Sequence, residues 1–238
     1  GPIHIGHLVE YSLPDFWVRF QRMRGHNVHF VCAADTHGTP IMMNAKKQGI
    51  SPESLVERFR LEHIETFKNF EISFDHYGST NSPANKKISD RIFKALDEKH
   101  MVETKTLMQA YCEFDKIFLP DRYIKGTCPK CGAVEQYGDG CEVCGTVYSS
   151  ADLKNPHCSV CGRTPVEKAS EHLFVRLEDF RPYLKEWVPR HTSPEVAKKL
   201  AEWFDGELQS WCISRDDPYF GFEIPGHPKK YYYVWFDA

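Results

Sequence analysis

Two histidines stand close to the first residue of the chain, in the stretch GPIHIGH. If a helix begins here, His4 and His7 share one face of its first turn, where free N–H groups and a partial positive charge favour an anion such as phosphate. Gly6 lacks a side chain, which lets a flat ring approach the backbone closely. The residues that follow have a helical pattern that Pro14 should bend or break. A lone H-x-x-H is a weak signal, and histidines near a terminus can also be remnants of a tag.

Four cysteines in the middle of the chain form the strongest local pattern. Their spacing is C-x2-C-x9-C-x2-C, with a glycine after each pair, and they are Cys128, Cys131, Cys141 and Cys144. Each pair predicts a tight knuckle that turns two thiolates inward, and four sulfurs fill the tetrahedron that zinc prefers. Because four protein ligands leave no open position for water, we expect this zinc to be structural. The alternatives are reduced surface thiols or redox pairs.

A third knuckle, formed by Cys158 and Cys161, has no cysteine pair left to complete it. The matching half could be Cys112 and Asp115, which stand in C-x2-D spacing, since aspartate is an acceptable though less common zinc ligand. His157 is another candidate ligand. The sequence therefore suggests a second metal site, and the alternative is an unoccupied relic of the knuckle.

The composition limits the classes of protein to consider. Of 238 residues, 41% are hydrophobic and 26% are charged, which is ordinary for a soluble globular protein. A net charge of −3 gives no sign of nucleic-acid binding by the chain as a whole. No apolar run reaches the ~18 residues of a membrane span and no signal peptide is recognisable, so we expect a cytoplasmic protein without a membrane partner. Six of the nine cysteines lie in C-x2-C pairs, which favours metal over disulfides, whereas Cys32 and Cys212 are expected to be buried.

Strands alternate with helices in the first hundred residues. The predicted strands cover 26–35, which ends in an acidic residue, and 74–80, and a helix covers 51–72. This alternation predicts an α/β fold with a parallel sheet and helices on its faces. Later in the chain, a helix over 193–211 and a strand over 229–238 indicate that the same kind of structure returns.

The character of the sequence changes twice along the chain. Residues 1–104 form the first half of the predicted α/β domain, and 105–170 form an insertion in which Cys, Gly and Pro are concentrated. Residues 171–238 return to the first domain, which we expect to be truncated before its end. The predicted architecture is therefore one α/β domain interrupted by a zinc-knuckle insertion.

Six stretches occur in an order that is typical of one family of enzymes. They are GPIHIGH at 1–7, CAADTHGTPI at 32–41, FLPDRYIKGTCPKCG at 118–132, GCEVCG at 140–145, WCISRDDPYFGFEIP at 211–225 and YYYVWFDA at 231–238. In this combination the chain resembles the methionyl-tRNA synthetases, which are class I aminoacyl-tRNA synthetases. The resemblance implies a Rossmann-type parallel sheet interrupted by the zinc-knuckle insertion, which is the family's connective peptide. The family's Lys-Met-Ser-Lys-Ser loop is absent from 1–238, so we expect this stretch alone not to aminoacylate.

The resemblance also implies an activity. Such enzymes use ATP, accompanied by Mg, to activate methionine as methionyl-adenylate, and then transfer the methionyl group to the 3′ end of tRNA(Met). His4 and His7 would hydrogen-bond the phosphates in the transition state, and Gly6 would make room for adenine. The tRNA would be contacted mostly by parts outside 1–238. One or two zinc ions would be structural.

Three further positions match residues of the family's active site, and Lys125 is a candidate because of its place in the insertion. Asp35 would bind the α-ammonium group of the amino acid, although it could instead cap the next helix. Trp235 would form a wall of the methionine side-chain pocket, although it could be an ordinary core aromatic. Arg215 would contact the polyphosphate, although it could form a surface ion pair with an aspartate that follows it. Lys125, just before the knuckles, would reach into the site from the insertion.

Two other functions are compatible with parts of the sequence. In a zinc-ribbon module that binds nucleic acid, the knuckles would be the functional part, but the stretch 133–143 between them is acidic. A class I synthetase for leucine, isoleucine or valine would carry a far larger insertion for editing. Both alternatives are less consistent with the sequence than a methionine enzyme.

Overall fold

The computed structural model describes all residues from 1 to 238. The chain divides into two compact units. The first unit consists of Gly1–His100, Ile213–Arg215 and Tyr219–Ala238, and the second consists of Met101–Cys212 and Asp216–Pro218. The second unit thus contains the predicted insertion and also the stretch from 171 to Cys212, which the sequence pattern assigns to the returning α/β domain.

Helices occur in both units and alternate with strands in the first. The α-helices are α1 (Ile5–Met23), α2 (Thr39–Gln48), α3 (Pro52–Asn69), α4 (Pro83–Glu98), α5 (Arg181–His191), α6 (Pro194–Ala201) and α7 (Val234–Asp237). None of them combines the length and the apolar character that crossing a membrane requires.

Eleven short strands form four sheets. The strands are β1 (Val31–Ala34), β2 (His76–Ser79), β3 (Val102–Cys112), β4 (Ile117–Phe118), β5 (Ile124–Thr127), β6 (Gln136–Tyr137), β7 (Lys154–Cys158), β8 (Val166–Val175), β9 (Trp211–Cys212), β10 (Ser214–Asp216) and β11 (Lys230–Tyr232). The strand orders are β1-β2, β10-β11, β4-β3-β8-β9 and β6-β5-β7.

The first unit contains the predicted parallel pairing. Strands β1 and β2 run parallel, with Val31 opposite His76 and Ala34 opposite Ser79. Each strand is only four residues long, shorter than the predicted ranges 26–35 and 74–80. The mixed α/β class is confirmed, and the parallel sheet in this chain consists of two strands.

Local sequence signals explain where two helices begin. Helix α3 starts as predicted, because the Ser51 hydroxyl accepts a hydrogen bond from the Ser54 N–H (3.1 Å) and a proline fills the first helical position. Helix α1 begins one residue after His4 and continues through Pro14 to Met23 without a break. Pro14 therefore does not break the helix, because one missing N–H donor is tolerated when the surrounding turns pack, and the alternative expectation of a bend stays a prediction.

Two predicted elements near the end of the chain differ from the structure. The helix expected over 193–211 ends at Ala201, before an Asp-Gly pair that does not favour helix. The strand expected over 229–238 is β11 for only three residues, after which α7 follows. In α7 the Phe236 N–H donates to the carbonyl of Tyr233 (2.7 Å), and tertiary contacts override the β propensity of the aromatic run.

An aromatic core holds the first unit together around α1 and α3. Its buried residues are Leu8, Phe67 and Ile72, and the partly buried residues packed on them are Ile3, Tyr11, Phe30, Phe74 and Tyr77. Burial of this apolar surface places the beginning of α1 beside the segments that flank β1 and β2. The site residues of α1 are thereby fixed to the parallel pair.

The second unit has a core of its own. Strands β3 and β8 pair antiparallel along ten positions, from Val102 opposite Val175 to Tyr111 opposite Val166. A buried cluster beneath them comprises Cys112, Ile117, Leu119, Ile124, Leu153 and Cys158. Two of the predicted metal ligands are thus members of a hydrophobic core.

Candidate active site and metal-ligand clusters

The histidine pair lies exposed at the beginning of α1. The rings of His4 and His7 stack with their centroids 3.7 Å apart, and the His4 backbone N–H donates to Nδ1 of His7 (3.2 Å). Because Nδ1 accepts this bond, a neutral His7 carries its proton on Nε2, which can donate to a ligand. Partial loss of hydration and the neighbouring His4 lower the pKa of His7, which favours that neutral form.

Gly6 leaves space for one of these rings. A Cβ at this position would lie 3.1 Å from both Cε1 and Nδ1 of His4. Any larger residue would therefore displace the His4 ring. The structure gives Gly6 this role, while its predicted role in admitting adenine stays a prediction.

Asp35 follows directly after β1, at the carboxyl end of the parallel pair. Ligands bind at this end of parallel sheets. The side chain is exposed, yet partial loss of hydration and the negative charge of Asp237 raise the pKa of Asp35, and His37 opposes that shift. The alternative role as a helix cap is wrong, because Gly38 occupies the position before α2.

A buried pair links the segment after β1 to α7. Nδ1 of His37 lies 2.5 Å from Oδ2 of Asp237, and both side chains are completely inaccessible to solvent. Sequence reasoning missed this pair, although each residue stands two positions after a predicted site residue, Asp35 or Trp235. The two partners are 200 positions apart. The only signal for their pairing was that both belong to stretches typical of the family, at 32–41 and 231–238.

Arg215 contacts the ring of Tyr233, which stands two positions before Trp235 in the sequence. Trp235 lies on α7 with 71% of its surface exposed, so the alternative of a core aromatic is wrong. The guanidinium carbon of Arg215 lies 3.7 Å from the ring centroid of Tyr233, and Nη1 donates to the carbonyl of Ser214 (2.7 Å). No hydrogen bond or ion pair connects the histidine pair with Asp35 or Trp235.

Lys125 belongs to β5 in the second unit. Its Nζ lies 3.5 Å from Oε2 of Glu135 and 5.2 Å from the ring centroid of Tyr137. The ammonium group therefore has an acidic and an aromatic neighbour within its own unit. Its predicted part in the active site stays a prediction.

The four predicted zinc ligands of the first set converge in the second unit. We call Cys128, Cys131, Cys141 and Cys144 the four-cysteine cluster; their sulfurs all lie within 4.8 Å of one another. The Sγ atoms of Cys131 and Cys141 are 3.6 Å apart, and those of Cys128 and Cys144 are 3.9 Å apart. Tetrahedral zinc with Zn–S bonds of ~2.3 Å needs sulfurs ~3.8 Å apart, so the cluster fits that metal. The hydrogen bonds of Cys144 with Thr146 lower the pKa of its thiol to about 6.

The second predicted set also converges. We call Cys112, Asp115, Cys158 and Cys161 the cysteine–aspartate cluster; its ligand atoms likewise lie within 4.8 Å of one another. Oδ2 of Asp115 lies 3.2 Å from Sγ of Cys112 and 3.4 Å from Sγ of Cys158. The other candidate ligand, His157, has its Nε2 3.3 Å from Glu135 and is not in this set. Three thiols and one carboxylate are donors that zinc accepts.

Each knuckle turns on a glycine in the left-handed region of backbone conformation. The φ angles are +76° at Gly132, +69° at Gly145 and +76° at Gly162. The N–H of each glycine donates to the carbonyl of the first cysteine in its pair. Any other residue would be strained at this angle, which explains the trailing glycines of the sequence pattern. None of the nine cysteines forms a disulfide, and Cys32 and Cys212, expected to be buried, are only partly so.

Comparisons with known proteins assign this arrangement to a family. The sequence model described as tRNA synthetases class I (M) matches residues 1–238. A methionine–tRNA ligase of Bdellovibrio bacteriovorus is 54% identical over 239 residues, and one of Thiobacillus denitrificans is also 54% identical over 239 residues. Both alignments include 100% of this chain, which spans 35% of the length of each relative.

A solved structure shows the same fold. The crystal structure of Mycobacterium tuberculosis methionyl-tRNA synthetase bound by methionyl-adenylate superposes with a TM-score of 0.71 at 20% identity. The superposition covers 100% of this chain and 43% of that protein. With the family match running from the first residue to the last, the chain belongs to the class I tRNA synthetases of the M group.

Proposed function

We propose that the protein carrying this chain is a methionine–tRNA ligase. It would activate methionine with ATP, releasing pyrophosphate, and pass the methionyl group to the 3′ end of tRNA(Met). The observation that carries the proposal is the 54% identity to proteins with that name over 100% of the chain. The match to the M group favours this function over a synthetase for another apolar amino acid and over a zinc-ribbon module.

In this proposal the amino acid binds at the carboxyl end of β1. Asp35 accepts hydrogen bonds from the α-ammonium group, whose positive charge relieves the repulsion between Asp35 and Asp237. The exposed indole of Trp235 packs against the thioether of methionine, because sulfur is polarisable and contacts aromatic rings favourably. The charged end and the apolar end of the substrate are thus recognised by different residues.

The nucleotide binds next to the histidine pair. The methionine carboxylate attacks the α-phosphorus, a new O–P bond forms, and the bond to the pyrophosphate breaks. His4 and His7 donate hydrogen bonds to phosphate oxygens as charge develops on them, and the fork of Arg215 neutralises the polyphosphate. Mg accompanies ATP and shares that charge. No side chain becomes covalently modified, so the residues act by positioning and electrostatics.

The two cysteine clusters support the proposed zinc-knuckle insertion, which lies within the second unit. One zinc would be held by the four-cysteine cluster and another by the cysteine–aspartate cluster, with each ion structural because four protein ligands fill its coordination sphere. In the proposed domain plan, a Rossmann-type domain comprises 1–104 and 171–238, and the connective peptide comprises 105–170. The role predicted for Lys125 at the nucleotide stays a prediction.

The experiment compares two substitutions in the full-length protein by methionine-dependent ATP–pyrophosphate exchange. Trp235→Ala should weaken the binding of methionine much more than the binding of ATP. It should also reduce the preference for methionine over norleucine and homocysteine, and the lost contact is worth about 1–3 kcal/mol. Asp35→Asn should weaken the binding of all three amino acids by the same factor, because it removes the negative charge that pairs with their common α-ammonium group. The matched control is Asp97→Asn, which changes an exposed aspartate of the same unit and should have no effect. Unchanged methionine use in both site variants would contradict the proposed amino-acid site.

A further inference from the structure

The buried His37–Asp237 pair occupies an unusual place within the first unit. His37 is the second residue after Asp35, and Asp237 is the second residue after Trp235. One hydrogen bond of 2.5 Å therefore joins the two short segments that carry the proposed ligands of the amino acid.

Other contacts fix the pair from both sides. Nε2 of His37 lies 3.3 Å from the side-chain oxygen of Asn81, and the side-chain amide of Asn85 donates to the carbonyl of Asp237 (2.6 Å). The edges of Phe220 and Phe222 flank the His37 ring, with centroid distances of 5.3 and 4.6 Å. The ring can therefore neither rotate nor leave its position without breaking several contacts.

The pair costs free energy that an apolar contact would not. Oδ1 of Asp237 is buried without a hydrogen-bond partner, and burying a carboxylate in this way is unfavourable. Two apolar residues of similar size would fill the same space without that cost. A hydrogen bond differs from apolar packing because it fixes both distance and direction. The arrangement is therefore suited to setting the position of α7 rather than to maximising stability.

We propose that His37 and Asp237 form a positioning pair of the amino-acid site, which locks α7 to the segment after β1 and so sets the separation of Asp35 and Trp235. The inference rests on the proposed function, since it assumes that these two residues hold the ammonium group and the side chain of one amino acid. Neither member of the pair needs to touch the substrate. A short rigid link between the two recognition points would make the site select one length of side chain.

The test uses the full-length protein and measures the KM of methionine and of ATP separately. His37→Phe retains a ring but loses the hydrogen bond, and should raise the KM of methionine about tenfold while changing that of ATP less than about twofold. Asp237→Leu, which has a similar size but no acceptor for the His37 ring, should have the same selective effect. His37→Asn offers an N–H close to the position of Nδ1 and should restore most of the loss.

A matched control separates positioning from stability. Phe222→Leu removes packing against the His37 ring but leaves the hydrogen bond, so it should lower the Tm without changing the methionine KM relative to that of ATP. If His37→Phe and Asp237→Leu behave like this control, the pair is only structural and the inference is overturned. Should His37→Phe not fold, the KM values of Asp237→Leu decide in the same way. Asp35→Asn tests the proposed amino-acid site separately from the positioning pair. If this variant uses methionine as well as the unmodified protein does, the proposed amino-acid site itself is wrong.

Discussion

The four-cysteine cluster and the cysteine–aspartate cluster share one knuckle geometry but differ in what they connect. In the first, the thiols of Cys131 and Cys144 are exposed, and the contact between Cys128 and Cys144 spans only 16 positions. In the second, the contact between Cys112 and Cys161 spans 49 positions. A metal in the first cluster would crosslink one local loop, whereas a metal in the second would crosslink strands that are distant in sequence.

Burial sharpens this difference. Cys112 and Cys158 belong to the hydrophobic core of the second unit, and each is at most 1% exposed. Loss of a metal there would leave polar groups, among them the carboxylate of Asp115, at the edge of an apolar core. The same short sequence pattern can thus form a metal site in an exposed loop or within a hydrophobic core, depending on the segments that it joins.

The largest effect is expected from removing a core ligand. Cys158→Ser should abolish metal binding at the cysteine–aspartate cluster and lower the free energy of unfolding of the second unit by more than about 4 kcal/mol, because binding energy at a structural metal is folding energy. Chemical denaturation with metal analysis measures both. Cys32→Ser, which alters a partly buried cysteine of the other unit, serves as the control. A variant as stable as the control would show that the core does not depend on a metal.

A smaller effect is expected at the four-cysteine cluster. Cys144→Ser changes an exposed ligand of a local loop, so it should cost about 1–3 kcal/mol and expose amides of 128–145 to hydrogen exchange. The rest of the second unit should keep its protection. Hydrogen exchange resolved by peptide measures this difference. Loss of protection throughout the second unit would contradict the conclusion that the four-cysteine cluster stabilises only its own loop.

The ligand composition of the second cluster can be exchanged for that of the first. Asp115→Cys gives four thiolates, which are softer donors, so release of zinc to a chelator should slow on the order of tenfold. Asp115→Ala should accelerate release instead. Rates followed with a chromogenic chelator check this order. Equal rates in all three proteins would mean that Asp115 is not a ligand.

The buried ion pair of His172 and Asp216 lies outside both clusters and provides a reference that depends on pH rather than on metal. His172 is 1% exposed, and although its burial opposes protonation, hydrogen bonds with Asp216 and Cys212 raise its pKa to about 9. The stabilising charge is fully present below the unfolded-state pKa and is lost as pH rises through about 9. Between the unfolded-state pKa of 6.5 and about 9, the free energy of unfolding should fall with a slope of up to about 1.4 kcal/mol per pH unit. His172→Gln should remove this slope without releasing metal. A slope that survives in the variant would have to arise from other groups.

The sequence predicted those features that depend on local spacing. Each knuckle was predicted because its residues lie close together in the chain, and Cys112 with Asp115, in C-x2-D spacing, was the candidate half that the second cluster contains. Strands β1 and β2 and the start of α3 followed from periodicity and capping. The predicted roles of the individual site residues remain predictions.

Features that depend on distant parts of the chain could not be predicted in this way. The His37–Asp237 pair joins residues 200 positions apart, and nothing in local spacing indicates it. The aromatic run before Asp237 has the propensity of a strand, yet α7 forms there because its end is held by Asn85. The burial of Cys112 and Cys158 likewise depends on how strands pack, which spacing does not specify.

We propose that the full-length protein activates methionine, and amino-acid-dependent pyrophosphate exchange measures this activity directly. The full-length protein should exchange labelled pyrophosphate into ATP when methionine is added, and should do so at least about a hundredfold less efficiently with leucine, isoleucine or valine. Exchange that depends on one of those amino acids, or no amino-acid-dependent exchange by a folded protein with its metal bound, would contradict the proposed function.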